Sequence, residues 1–182
     1  MISMTSHTWN LDIINKINWV EANITDIPAL EDAFRGVTHV YHSAAYISFQ
    51  PRHFQKLKKA NVEGTANVIN MCLKHNVQKL CHVSSIATLG STLDGSLISE
   101  NTSWNPEEDN NVYAITKYGA EMEVWRGVEE GLHAVIVNPV IILGPGFWSR
   151  GSSSIFERVA GGLKYGTTGM TGYVGVEDVV TA

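Results

Sequence analysis

The chain is poor in cysteine and carries no excess of positive charge. Only Cys72 and Cys81 occur in 182 residues, a number and spacing that fit neither a metal site nor a disulfide scaffold. Both read as small core hydrophobes in a reducing compartment. With 13 basic against 18 acidic residues the net charge is −5, which excludes a non-specific nucleic-acid binder. No apolar run approaches the roughly 20 residues of a membrane span. Signal peptide, internal repeat and low-complexity tract are also absent from the sequence. These absences predict a soluble cytoplasmic protein with no nucleic-acid, membrane or metal partner. What is present is a 44% hydrophobic content, enough for the core of one domain.

Along the chain, Met1 to Trp9 has no periodicity, and 1–18 reads as a poorly ordered start. Leu11, Ile14 and Ile17 recur at helical spacing before a strand-like run, Ile17-Asn-Trp-Val20. Asp26 before Pro28 marks a helix start, Leu30 and Phe34 its buried face, and Gly36 its end. Val37 to Ser43 reads as a strand. Pro51 to Asn76 reads as a long helix with Ala60, Val62, Ala66, Val68, Ile69 and Cys72 as its apolar stripe. Its basic start (Arg52, Lys56, Lys58, Lys59) reads as a solvated face. Lys79 to Ser84 is a further strand and Leu89 to Asn110 a polar loop. A helix from Tyr113 to about Glu130 follows, and then Ala134 to Pro139, apolar enough for a strand buried on both faces. The alternation predicts an α/β fold.

The segment Tyr113-Ala-Ile-Thr-Lys117-Tyr-Gly-Ala-Glu121 carries the chemistry. Residues four apart share a helix face, so Tyr113, Lys117 and Glu121 line up. A free phenol titrates near pKa ~10, and about one in a thousand is ionised at neutral pH. An ammonium one turn away is expected to lower that value by roughly a unit or more. Such a phenol exchanges protons with a carbonyl or alcohol oxygen. Ser84 and Ser85 follow a strand at its carboxyl end, where ligands bind in open α/β sheets. A serine there is placed to bond the same oxygen.

The Ser84-Ser85 pair, the YxxxK spacing and the strand ending Asn138-Pro139 with Gly144-Pro-Gly146 beyond together resemble the extended short-chain dehydrogenase/reductases. These are NAD-dependent epimerase/dehydratases, and the tone here is similar to dihydroflavonol-reductase-like members. The resemblance runs from Trp19 to Ala182. It implies a Rossmann-like doubly wound parallel sheet, with 145–182 starting a substrate-binding lobe. It implies hydride transfer between NAD or NADP and a hydroxyl- or ketone-bearing carbon of a small molecule. Tyr113 would be the general acid/base. Lys117 would lower its pKa and bind the ribose, and Ser85 would orient the substrate oxygen. Ser85 is preferred to Ser84 because it stands five residues before Gly90, which closes the family's serine motif. Neighbours on a strand also point to opposite faces. By the same resemblance the cofactor surface takes Ser43, Ala44 and Ala45 from Val40-Tyr-His-Ser-Ala-Ala45. It takes Pro139, Val140 and Ile142 from Asn138 to Pro145. Ser84, Tyr113 and Lys117 belong to it, with Asn61 as support from Asn61-Val-Glu-Gly-Thr65. Asn23 and Ile24 complete it at the adenine end, where the family usually has an acidic residue before Ile24.

The family opens with a strand and a GxxGxxG loop whose amides hold the pyrophosphate. None precedes Trp19. The spacing does recur at Gly166, Gly169 and Gly172, before a strand-like Tyr173-Val-Gly-Val176, and reads there as a turn. The domain is therefore expected to be incomplete at the N-terminus, an interior piece of a longer enzyme or a lineage without its first unit. Weak NAD(P) binding, marginal stability and association into a homo-oligomer or with a partner are the corresponding expectations. Two other functions are open by the resemblance: a nucleotide-sugar epimerase or dehydratase, which uses the same trio, and a non-catalytic dinucleotide-binding regulator, a class that often loses the Tyr–Lys pair retained here.

Overall fold

The computed structural model of the chain describes residues 15–92, 96–145, 151–162, 164–166 and 171–182. Helix α1 (Ile27–Ala33) begins where Asp26 accepts a hydrogen bond from the Ala29 amide at 3.2 Å, with Pro28 in the first turn. It buries Leu30, and Phe34 at its end is buried too. Gly36 then turns the chain with a φ of +76°, a conformation cheap only for glycine, into strand β1 (His39–His42).

The long helix expected after β1 is present but not uniform. A 3-10 turn (Pro51–His53), α2 (Phe54–Leu57), a π turn (Lys58–Glu63) and α3 (Gly64–Lys74) run on in sequence. The wide π turn carries Asn61 inward, and α3 buries Val68, Ile69, Met71 and Cys72. Strand β2 (Lys79–Val83) leads through a 3-10 turn (Ile86–Thr88) and the long loop to α4 (Val112–Glu129). Asn111 caps α4 by accepting from the Ala114 amide at 2.9 Å. Beyond α4 lie β3 (Ala134–Val137), β4 (Ile141–Leu143), α5 (Ser154–Ala160), β5 (Tyr173–Gly175) and α6 (Val176–Thr181).

The first three strands form a parallel sheet in the order β1-β2-β3, and β4 and β5 form a separate parallel pair. His42 lies beside His82, and His82 beside Ile136. Strand alternation turns Val40, Leu80 and Ile136 toward one face, where they pack with Val68, Ile69 and Cys72 of α3 and Val124 of α4. Full burial of each such aliphatic side chain contributes roughly 1.5–3 kcal/mol. The parallel strands with crossover helices are a Rossmann-like α/β arrangement. All three carboxyl ends lie on one side, which gathers the loops after β1, β2 and β3.

Two expectations need correction. Residues 17–20 form no strand, and Ile17, Trp19 and Val20 are 40–57% exposed. A β-ladder needs a partner, and no described strand pairs with this run. Strand β3 is not buried on both faces. It stands at the edge of the described sheet, with Val135 43% exposed. Tyr41, on the same face through Cys81, is 82% exposed. The expectations for Leu11, Ile14 and Met1 to Trp9, and the middle of the Gly166–Gly172 turn, fall outside the described residues.

Candidate functional site

Everything central to the site meets where β2 ends against α4. Ser85 is extended (φ −163°, ψ 150°) and caps the 3-10 turn by accepting from the Ala87 amide at 3.2 Å. Its hydroxyl lies toward the Tyr113 phenol and favours the ionised form of that phenol. Ser84 faces the other way and is buried, donating to Glu121 Oε2 at 2.7 Å. The pleat therefore separates the two serines, one to the phenol and one to the interior.

Lys117 is 2% exposed, and its Nζ donates to the Val83 carbonyl at 2.9 Å. Burial lowers its pKa to about 8, although the Glu121 carboxylate one turn on favours the charged form. Tyr113 does not show the lowered pKa expected from the YxxxK spacing. Burial raises it, and the Ser85 hydroxyl opposes that only in part. Half-burial of the phenol disfavours the anion, while the Lys117 Nζ is directed to the Val83 carbonyl.

Below this pair lies a buried polar knot. Glu121 Oε2 accepts from Ser84, from Thr88 Oγ1 at 2.8 Å and from Asn138 Nδ2 at 3.0 Å. Asn138 Nδ2 also reaches Thr88 Oγ1 at 2.8 Å. The loop after β2 and the loop after β3 are thus tied to one carboxylate on α4. Against the same helix, Asn61 Nδ2 donates to Thr116 Oγ1 at 3.1 Å and to the Tyr46 carbonyl at 3.0 Å. Its Oδ1 accepts from the Tyr46 amide at 2.7 Å.

The other expected cofactor residues are dispersed in role. Ser43, Ala44 and Ala45 are exposed at the end of β1, and Pro139 and Val140 follow β3. Pro139 and Val140 line, with Ile86, Leu89 and Ile98, a cleft of about 630 Å³ whose wall includes neither Tyr113 nor Ser85. Ile142 lies half-buried in β4. Asn23 closes a local turn by accepting from the Thr25 amide and hydroxyl at 3.0 and 2.9 Å. Ile24 packs on Gly64, and its carbonyl accepts from Asn67 Nδ2 at 3.0 Å.

Two of these side chains are engaged within the protein. Asn61 is 1% exposed with its amide fully engaged within the protein, and the Ser84 hydroxyl is held by Glu121. The knot at Thr88 and Asn138 and the Asn61–Thr116 link had no signal in residue spacing, because they join segments 17 to 55 residues apart. Among the described residues, no three histidine, cysteine or acidic side chains gather to hold a metal. No described helix is long and apolar enough to cross a membrane.

Comparison with known proteins agrees with this fold. Cinnamoyl-CoA reductase 1 of Petunia hybrida is 27% identical over 177 residues, covering 92% of this chain and 52% of that protein. Sterol demethylase protein B of Methylococcus capsulatus is 30% identical over 164 residues, covering 87% and 48%. The solved UDP-glucose 4-epimerase of Thermus thermophilus, in complex with NAD, superposes with a TM-score of 0.76 at 27% identity. That match covers 91% of this chain and 58% of the epimerase. The chain spans about half the length of the curated relatives it matches. The profile of the NAD dependent epimerase/dehydratase family matches residues 2–182, which takes in every element described above. The chain belongs to that family.

Proposed function

We propose that this chain carries the proton-transfer site of an NAD(P)-dependent oxidoreductase acting on a ketone or alcohol carbon, with reduction as the favoured direction. The observation that carries the reading is the Ser85–Tyr113 hydroxyl pair at the carboxyl end of β2, with the buried Lys117 ammonium one turn from Tyr113. The residues fit the nicotinamide end of such a cofactor. Ser43 to Ala45 present small, exposed residues at the end of β1, and Pro139 and Val140 give an apolar edge beyond β3. Lys117 has donor capacity beyond the Val83 carbonyl, since an ammonium carries three N–H groups. Such a cofactor supplies the hydride.

The chain's own residues handle the oxygen and the proton. Ser85 donates to the substrate oxygen and holds it against Tyr113. The phenol, kept protonated by its burial, gives its proton to that oxygen as negative charge develops. Lys117 is the nearby positive charge that stabilises the phenolate left behind. Its own pKa of about 8 places loss of that charge just above neutrality. Asn61 and Glu121 hold the surrounding loops in place.

The decisive experiment is NAD(P)H turnover with a panel of ketones and nucleotide sugars, alongside cofactor-binding fluorescence, in a version of the protein that carries the family's GxxGxxG unit, with and without Tyr113→Phe. General acid catalysis contributes about 10²–10⁴-fold, so Tyr113→Phe should lose at least that much turnover while binding cofactor as before. Retention of more than about a tenth of wild-type turnover would make Tyr113 a packing residue. Nucleotide-sugar epimerisation is the second reading, favoured by the likeness to UDP-glucose 4-epimerase. It would appear as sugar interconversion without net NAD(P)H consumption. Cytoplasmic placement belongs to the same proposal and rests on the two free cysteines.

A further inference from the structure

Between β1 and the 3-10 turn at Pro51, the chain runs as an irregular strap, Tyr46 to Gln50, that brings Phe49 against Tyr113. It is anchored at both ends. The Tyr46 amide and carbonyl are both held by the Asn61 side chain, at 2.7 and 3.0 Å. Ser48 Oγ bonds His53 Nδ1 at 2.8 Å, and the Gln50 amide donates to Ser48 Oγ at 3.3 Å. The strap nevertheless leaves Ile47 and Phe49 62% and 65% exposed. Phe49 meets the Tyr113 ring edge-on, with centroids 5.5 Å apart and planes at 63°. An exposed phenylalanine on a pinned segment gives up burial energy, and what it faces here is the proton-donating phenol.

Among the described residues, Lys56 and Arg52 are turned to the strap. Lys56 lies over the Tyr46 ring at 4.4 Å, and Arg52 Nε donates to Gln50 Oε1 at 2.8 Å. On the Phe49 side of Tyr113 a phosphate or sugar hydroxyl would meet an aromatic ring, whereas an apolar ring would find a partner of the right size. We propose that the Tyr46–Gln50 strap is the specificity lip of this site, with Phe49 selecting carbonyl compounds that carry an aromatic or similarly apolar substituent. The inference rests on the reading above that the reacting oxygen sits at Tyr113. Phe49 takes no part in the proton transfer. It packs against the group attached to the carbonyl carbon.

The test is ligand-observed saturation-transfer NMR and titration of the whole chain with 4-phenylbutan-2-one and butan-2-one, without cofactor. Wild type should bind the aryl ketone more tightly, with its phenyl protons receiving most of the saturation. Phe49→Ala should weaken the aryl ketone about fivefold, the scale of one aromatic pair, and leave butan-2-one unchanged. Phe49→Leu, which keeps bulk without the ring, should show a smaller loss in the same direction and carries the test if the alanine variant folds poorly. Absence of aryl-ketone binding, no effect of Phe49→Ala, or equal weakening of both ketones would overturn the proposal. Because the assay holds no NAD(P)H, selective binding without turnover would sink the oxidoreductase reading and leave the lip standing. Tyr113-dependent turnover that is indifferent to Phe49→Ala would do the converse.

Discussion

At the residue scale, Glu121 is the group whose removal the fold should feel most. It lies 8% exposed on the Lys117 face of α4, and one of its oxygens collects hydrogen bonds from Ser84, Thr88 and Asn138. Deleting the carboxylate strands the Ser84 hydroxyl where water has little access and leaves Thr88 and Asn138 with the Ser85 carbonyl at 2.8 and 3.3 Å, and each buried unsatisfied group costs about 1–3 kcal/mol. Thr88 and Asn138 can still bond each other at 2.8 Å, which softens the loss. We expect Glu121→Ala to lower unfolding free energy by about 3 kcal/mol in urea titration, and Glu121→Gln, which keeps one acceptor oxygen, by less. A loss under about 1 kcal/mol for the alanine variant would mean that the knot is not structural. Helical spacing alone places Glu121 beside Lys117. Its partners come from separate loops, and only the folded chain brings them to it.

At the element scale, the π turn Lys58–Glu63 between α2 and α3 links the site to its rim. A helix widened in this way is a frequent companion of function. Here it carries Asn61 between Tyr46 and Thr116. An apolar stripe at helical spacing cannot reveal such a turn, because the extra residue shifts phase only locally. Asn61→Ala should release the strap: the Tyr46 amide loses its acceptor and Phe49 its fixed seat on Tyr113. Hydrogen exchange at the Tyr46 amide should accelerate at least about tenfold, the equivalent of ~1.4 kcal/mol, while amides of β2 remain unchanged. Unchanged exchange at Tyr46 would show that the strap is held by its His53 end alone. The loop 89–110 was legible as a loop but not as a packed one. Trp104 stacks on Tyr118 of α4 with centroids 4.6 Å apart, and a side chain at Gly90 would collide with the Ser103 carbonyl.

At the scale of the whole molecule, two buried histidines set the response to acid. His42 and His82 lie side by side on β1 and β2, ring centroids 5.1 Å apart, 4% and 1% exposed. His42 bonds Thr65 Oγ1 at 2.9 Å, whereas neither nitrogen of His82 has a partner. Burial, with the Lys117 charge adding to it, lowers their pKa values to about 4 and about 3. The unfolded chain, near 6.5, therefore binds these protons first. Stability falls as pH drops below about 6.5, by up to ~1.4 kcal/mol per pH unit for each histidine, until the folded values are passed. Urea midpoints at pH 7, 6 and 5 should decline accordingly. His82→Leu, which removes a titrating group without breaking a hydrogen bond, should flatten the decline. Equal slopes for the two proteins would show that His82 is not responsible. The same sheet leaves Tyr41 and Val135 open on its other face, a global feature that alternation along β1 or β3 could not reveal.

Local chemistry was enough to define most of the elements and to place Tyr113 and Lys117 together. Asp26 and Asn111 cap their helices, Gly36 takes the positive φ, and the four-residue spacing puts Tyr113 and Lys117 on one face. These are short-range consequences of backbone geometry, so they can be read in order along the chain. Tertiary structure decided which serine meets the phenol and where Lys117 spends its hydrogen bond. It also decided that burial rather than the ammonium governs the tyrosine. It left residues 17–20 without a ladder and set Phe49 over Tyr113. Each of these depends on desolvation or on contacts between distant segments, quantities that exist only once the chain has closed on itself.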